Sequence, residues 1–134
     1  MVALAIERLT VMDDRISCVV ALAPGTPHFT TPDLAARVVA SFPDLPRHAC
    51  VNEVGDTFGA VMNRTSLPHL LEHLVIDLQT RVAPVDSSAT FVGTTVWTDE
   101  TAGRARIEVN FTDDLVALRA FRDAAHFLSG AVVL

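Results

Sequence analysis

Two histidines and a glutamate lie close together near the middle of the chain, in the segment His69-Leu70-Leu71-Glu72-His73. On an α-helix, residues four apart share one face, so both imidazoles would point toward one atom, with Glu72 beside them. A pair of imidazoles in this arrangement binds zinc, and the adjacent carboxylate takes a proton from water at the metal. The spacing therefore predicts a zinc site with His69 and His73 as ligands and Glu72 as the general base.

The rest of this helix favours a buried site. Its apolar positions are Leu70, Leu71, Leu74, Val75 and Leu78. His69, Glu72, His73 and Asp77 form a polar stripe on this apolar helix, and buried ionisable groups persist only when they are paired or coordinated. Asp77, one turn beyond His73, is predicted to orient an imidazole through a hydrogen bond. The alternatives are a stripe that faces solvent and a buried histidine pair that is satisfied without a metal.

The third metal ligand has more than one candidate. The segment His48-Ala49-Cys50 would place an imidazole and a thiolate on alternate positions of a short strand. Cys50 with the two histidines would leave one zinc position open, so we expect Cys50 as the third ligand and His48 in a supporting position behind the ligands. Glu108 and Asn110, on one face of a later strand, are the competing candidates. The alternative for Cys50 is a small buried hydrophobic residue.

The elements that must position these residues follow from apolar patterning, turn residues and helix caps. The sequence predicts strands over 2–12, 14–22, 91–98 and 104–111, and helices over 32–41, 66–82 and 113–129. A short edge strand is expected over 48–51, followed by a loop with one helical turn over 52–64. The order ββα(β)αββα predicts an α+β fold, with a mainly antiparallel sheet, helices packed on one face, and a single domain over 1–134.

Composition narrows the classes of function. All ten basic residues are arginines, so chemistry that requires a lysine amine is excluded. The net charge of −6 argues against a nucleic-acid partner. Hydrophobic residues make up 50% of the chain, which favours a homo-oligomer that covers apolar surface. No apolar run is long enough to span a membrane, and no signal-peptide pattern is present. With Cys18 and Cys50 expected to stay reduced, a cytoplasmic location is predicted.

Several segments of the sequence form a longer pattern with the His69-x-x-Glu72-His73 helix. They read Leu-Pro-Arg-His-Ala-Cys at 45–50, Gly-Thr-Thr at 93–95 and Val-Asn-Phe at 109–111. With a glycine-containing loop and an alanine-rich last helix, they resemble the N-terminal domain of cyanophycin synthetases over about residues 42–128. The helix motif is the specific part of this resemblance.

The resemblance implies a metallopeptidase-like domain with His69, His73 and Cys50 as metal ligands and Glu72 as the general base. The expected activity is that of a zinc-dependent hydrolase acting on a peptide or isopeptide-like amide. Its substrate would be peptide-like or polymeric, and a basic substrate would complement the acidic chain. In that family the domain precedes ATP-grasp and Mur-ligase-like domains, which this chain lacks, so ATP-dependent amide synthesis is not expected of it alone.

The chain also departs from the family pattern. The basic residue that the family has after its Gly-x-Thr segment is absent, since Thr95 and Val96 stand there instead. Asn110 replaces an acidic residue, and the loop over 51–56 lacks the family's arginine. These differences support an alternative prediction, a non-catalytic binding or partner module of the same fold. A third prediction is a structural assembly domain without a tightly bound metal.

Overall fold

The computed structural model describes residues 2–132, which form a four-stranded antiparallel sheet and three α-helices. The strands are β1 (Leu4–Val11), β2 (Arg15–Leu22), β3 (Gly93–Asp99) and β4 (Arg104–Asn110). The helices are α1 (Pro32–Ser41), α2 (Leu67–Val82) and α3 (Asp114–Ala131), with 3₁₀ turns at Leu45–Arg47 and Phe58–Ala60. The predicted α+β fold with an antiparallel sheet is confirmed.

The sheet has the strand order β1-β2-β4-β3, so β1 and β3 are its two edges. Alternation along the central strands separates a buried face from an exposed one. The buried face consists of Ile16, Cys18, Val20, Leu22, Ala105, Ile107 and Val109. Helices α2 and α3 contact each other and the sheet, and α1 contacts α3. The helices cover the apolar face of the sheet, and none of them, within residues 2–132, has the length and apolarity needed to cross a bilayer.

Each helix begins at a side-chain cap. The Thr31 hydroxyl accepts a hydrogen bond from the Leu34 amide at the start of α1, and Asp113 caps α3 by accepting from two main-chain amides. Ser66 caps α2 by accepting from the His69 amide at 3.1 Å. These contacts satisfy N–H groups that have no partner within the helix. The predicted start of each helix is therefore correct to within one residue.

The edge strand expected over 48–51 does not form. Ala49 makes only an isolated bridge with Thr57, after the 3₁₀ turn at Leu45–Arg47. The chain then reverses within a few residues, because the Cys50 amide donates to the carbonyl of Asp56 at 3.0 Å. A segment that pairs with itself in this way is not available to the sheet. The predicted helical turn within 52–64 is confirmed at Phe58–Ala60.

Candidate metal centre

Helix α2 carries the His-x-x-Glu-His motif into the interior of the molecule. His73 is 2% exposed, Glu72 4% and Asp77 5%, so the polar stripe on α2 does not face solvent. Only His69 is partly exposed. Polar groups at this depth are stable only with hydrogen-bond or ionic partners, and among residues 2–132 no buried side-chain nitrogen or oxygen lacks a partner. The polar stripe is therefore a buried cluster of side chains that have hydrogen-bond or ionic partners.

Cys50 lies beside the two histidines. One potential ligand atom from each of Cys50, His69 and His73 lies within 4.8 Å of the others, and Cys50 Sγ is 3.5 Å from His69 Nε2. Tetrahedral zinc ligands at ordinary Zn–S and Zn–N bond lengths lie roughly 3.3–3.6 Å apart. The Cys50–His69 distance already matches that spacing. A thiolate with two imidazoles is also a donor set that suits zinc.

The two competing candidates for the third ligand lie elsewhere. Glu108 is on the face of β4 opposite to the buried Ile107 and Val109, and its carboxylate is 3.7 Å from Arg15. The side-chain amide of Asn110 donates to the carbonyl of Thr90, in the loop before β3, at 3.0 Å. Neither side chain belongs to the group of donors around Cys50. Among the predicted third ligands, the fold brings Cys50 to the histidines.

The loop that holds Cys50 is organised by Asn52. The Asn52 side-chain amide donates to the carbonyls of Cys50 and Thr57, both at 3.1 Å. Its oxygen accepts from the amides of Val54 and Gly55, so one side chain makes hydrogen bonds with main-chain groups on both sides of the turn. Asparagine suits this position because its amide both donates and accepts within a tight turn. The position of the Cys50 thiol thus depends on a local hydrogen-bond network.

Behind His73, a chain of hydrogen bonds leads away from the site. His73 Nδ1 is 3.1 Å from His48 Nδ1, and His48 Nε2 is 3.1 Å from the Asp77 carboxylate. Because an ionised carboxylate only accepts, His48 donates through Nε2, and its Nδ1 lone pair accepts from His73 Nδ1–H when His48 is neutral. His73 Nε2 then carries a free lone pair. His48 and Asp77 thus lie where a supporting role for a ligand was predicted.

Arg81 fixes the outer end of this chain. Its guanidinium is 2.9 Å from the second oxygen of Asp77 and donates to the Ser41 carbonyl at 2.7 Å. The same group stacks over the Phe42 ring, 4.3 Å from its centroid. A planar guanidinium makes all three contacts at once, which a lysine ammonium does not reproduce. Arg81 therefore links the Asp77 carboxylate to the end of α1.

The second histidine is held in a similar way. The Thr65 hydroxyl lies 2.8 Å from His69 Nδ1. Thr65 is itself fixed by Thr30, whose hydroxyl accepts from the Thr65 amide at 2.8 Å and whose amide donates to the Thr65 carbonyl. With Nδ1–H donated to Thr65, the Nε2 lone pair of His69 faces Cys50. Nε2 of His69 is 3.5 Å from Cys50 Sγ, and Nε2 is the nitrogen of His73 that does not contact His48, so each imidazole has its Nε2 atom available to a metal.

Phe58 restrains both imidazoles from the loop side. Its fully buried ring stacks on His73 with centroids 4.1 Å apart and meets His69 edge-on at 5.0 Å. These aromatic contacts oppose rotation of either imidazole about its side-chain bonds. Phe58 also contributes the first residue of the 3₁₀ turn that follows the Cys50 loop. One aromatic side chain therefore connects the loop to both histidines.

Glu72 is positioned by strand β3. The Thr95 hydroxyl donates to Glu72 Oε1 at 2.7 Å, and Oε2 of the same carboxylate is 3.7 Å from His73 Nε2. Gly93 passes so close that an added Cβ would lie 2.9 Å from Glu72 Cγ and 2.8 Å from the Glu108 carbonyl oxygen. The Gly-x-Thr sequence therefore has a steric and a hydrogen-bonding role: Gly93 makes room for Glu72, and Thr95 orients its carboxylate.

Burial controls the protonation of these groups. It raises the pKa of Glu72 from 4.5 to about 7, although the hydrogen bond from Thr95 lowers it. Burial, with smaller contributions from His69 and His48, lowers the pKa of His73 to about 3. Burial also lowers the pKa of His69. Both imidazoles on α2 are therefore neutral near pH 7, with lone pairs available to a metal.

The raised pKa of Glu72 predicts a pH-dependent stability in the metal-free protein. Between pH 4.5 and about 7 the folded chain retains a proton on Glu72 that the unfolded chain has lost, so this group lowers stability as the pH rises. Relative to Glu72→Gln, the wild type should lose roughly 3 kcal/mol across that range, because one pKa unit is worth about 1.4 kcal/mol. Urea unfolding of both proteins in EDTA measures the difference. A constant difference between pH 4.5 and 7 would contradict the shift.

Several residues that hold the site together were not predicted as part of it, namely Asn52, Phe58, Thr65, Arg81, Gly93 and Thr95. For Asn52, the turn-forming sequence through Gly55 was a usable local signal. Thr95 was part of the Gly-x-Thr segment, but its role was not identified. Thr65 and Arg81 lie only four residues from His69 and Asp77, so their spacing was also a local signal, whereas the contacts of Arg81 with Ser41 and Phe42 join distant segments.

The fold and site describe an α+β domain with a cysteine-histidine cluster between a loop and a buried helix. The model of the cyanophycin synthase-like N-terminal domain matches residues 19–132, nearly the whole chain. The chain therefore belongs to the family of cyanophycin synthase-like N-terminal domains. The resemblance over residues 42–128 is confirmed, and the match extends beyond it at both ends. No curated protein matches the chain.

Proposed function

We propose that this domain is a zinc-dependent hydrolase acting on a peptide or isopeptide-like amide. The observation that carries the proposal is the convergence of Cys50, His69 and His73 beside Glu72, whose carboxylate is held by Thr95. A buried carboxylate with a raised pKa next to three potential zinc ligands is an arrangement suited to proton transfer. The family places no activity on this chain by itself, so the proposal rests on this geometry.

The residues present fit zinc. Cys50, His69 and His73 would supply one sulfur and two nitrogen ligands, which leaves one of four positions open, as in catalytic sites. The imidazoles are neutral and their Nδ1 atoms are already bonded to Thr65 and His48. Zinc bound there would supply Lewis-acid activation of a water molecule and of the amide carbonyl.

Glu72 would perform the proton transfers. Its Oε1 atom accepts from Thr95, so Oε2 remains available to take a proton from the attacking water and to pass it to the leaving nitrogen. Because the pKa of Glu72 is raised to about 7, its carboxyl group accepts and donates protons efficiently at neutral pH. Given the net charge of −6, we further propose a basic peptide-like substrate.

The first test is zinc content. We expect purified protein to hold about one zinc per chain, and His69→Ala to lose it, because the remaining pair of ligands binds zinc weakly. The matched control is His126→Ala, since His126 is exposed on α3 and away from the cluster. Elemental analysis after dialysis against zinc-containing buffer measures all three proteins.

The outcomes separate the candidate functions. Wild-type protein without zinc, or zinc retained equally by His69→Ala, would overturn the metal centre and favour an assembly domain. Zinc lost only with His69, together with release of new amino termini from a mixed peptide library, would support the hydrolase. Zinc binding with no cleavage would instead identify a non-catalytic binding module.

A further inference from the structure

Strand β3 is an edge of the sheet and borders the cluster. Within the described part of the chain, residues 2–132, the sheet order β1-β2-β4-β3 gives β3 a single neighbouring strand, β4. A single cleft is lined by the segment Gly93–Val96 of β3 and by Cys50, His69 and Glu72. The other edge strand, β1, lines no part of this cleft. Of the two edges in the sheet, β3 is the one beside the cluster.

The hydrogen-bond register identifies which main-chain groups of β3 face the cleft. The main-chain N–H of Asn110 donates to the Val92 carbonyl at 3.2 Å, so these two residues form a hydrogen-bonded pair. The register then pairs Gly93 with Val109 and Thr94 with Glu108. In an antiparallel ladder, hydrogen-bonded and non-bonded pairs alternate. The N–H and C=O groups of Thr94 therefore point to β4, whereas those of Gly93 point to the open edge.

The same alternation assigns Val96 to β4 and Thr95 to the open edge. Among residues 2–132, the main-chain amides of Gly93 and Thr95 have no hydrogen-bond partner outside the ladder. Unpaired N–H and C=O groups at a sheet edge are a template for another extended chain.

We propose that an extended peptide substrate binds as an additional strand along the open edge of β3, paired with the main chain of Gly93 and Thr95. The inference rests on the proposed function, because the side chain of Thr95 holds Glu72 and the strand thereby directs the bound peptide across the catalytic carboxylate. Affinity would come mainly from main-chain hydrogen bonds, so binding would tolerate varied side chains. The ligand class is thus the extended main chain of a peptide.

The test uses hydroxamates, which bind zinc without requiring a known substrate. The probes are acetohydroxamate and two trialanine peptides, one with the hydroxamate at its carboxyl end and one at its amino end. Titration calorimetry on zinc-loaded protein measures affinity. At least one peptide should bind about tenfold more tightly than acetohydroxamate, which corresponds to one or two net hydrogen bonds. Methylating alternate peptide nitrogens should remove this gain.

Amide hydrogen exchange supplies a readout on the strand itself. The amides of Gly93 and Thr95 should exchange more slowly when the tighter peptide is bound. Those of Thr94 and Val96, which point to β4, are the internal controls and should change little. Protection confined to Gly93 and Thr95 would support the added strand.

The failures are distinguishable. If acetohydroxamate binds but neither peptide adds affinity, or if methylation has no effect, the strand inference is overturned while the metal centre stands. The same conclusion follows if the peptides bind without protecting Gly93 and Thr95. If no zinc binds, the proposed function fails and this inference fails with it.

Discussion

Replacing Glu72 by glutamine is expected to reduce amide hydrolysis by about 10²–10⁴-fold, the range that general acid–base catalysis contributes. Glutamine retains the size of the side chain and accepts the hydrogen bond from the Thr95 hydroxyl. It does not take a proton from water at neutral pH. Because Glu72 is not among the three proposed ligands, zinc content should be unchanged. Loss of turnover with full zinc occupancy is therefore the expected result.

The matched control is Glu108→Gln. Glu108 lies on the opposite face of the sheet, near Arg15, and was itself a candidate ligand by sequence. Initial rates on the same peptide mixture, followed by mass spectrometry, compare both variants with wild type. Full activity in Glu72→Gln would show that the catalytic assignment is wrong. Equal losses in both variants would indicate an effect on the fold rather than on proton transfer.

Replacing Asp77 by asparagine is expected to weaken zinc binding by about 10–100-fold, as is typical when a residue that orients a metal ligand is lost. Asp77 contacts no proposed ligand directly. It accepts from His48, which in turn accepts from His73. The side-chain amide of asparagine is uncharged and can donate as well as accept, so His48 is no longer required to donate through Nε2. In part of the molecules His73 would then carry its proton on Nε2 instead of Nδ1, which leaves no Nε2 lone pair for zinc.

Competition with a chromophoric chelator measures the zinc affinity of this variant. Asp123→Asn is the control, because Asp123 also lies near an arginine, Arg122, but is exposed on α3. Nitrogen NMR of the imidazoles provides a readout that a merely structural role would not change: the His73 tautomer should be mixed in Asp77→Asn and single in wild type. Unchanged zinc affinity and an unchanged tautomer would refute the positioning role.

The elements with local signals were predictable from sequence. Thr31, Ser66 and Asp113 each supply a capping side chain at the start of a helix, and the apolar, β-branched runs of β2 and β4 predicted two strands of the sheet. The relation of His69 to His73 was equally local, because helical periodicity alone places them together. These features depend on residues within a few positions of one another.

The remaining parts of the site depend on contacts between distant segments. The segment around Cys50 resembled a strand because alternating residues suggest extended chain, but the turn built by Asn52 takes its place. The choice of Cys50 over Glu108 depended on which face of β4 is buried, which is a property of the whole sheet. Thr95 lies 23 residues from Glu72, so no local pattern connects the two.

The loop around Cys50 has a thermodynamic consequence for metal affinity. Two proposed ligands lie on a buried helix, whereas the third lies on a short loop maintained chiefly by Asn52 and Phe58. Any conformational freedom of that loop in the metal-free protein must be lost when Cys50 coordinates, and the lost entropy is subtracted from the intrinsic binding free energy. The zinc dissociation constant is therefore also a measure of how well the empty loop is preorganised.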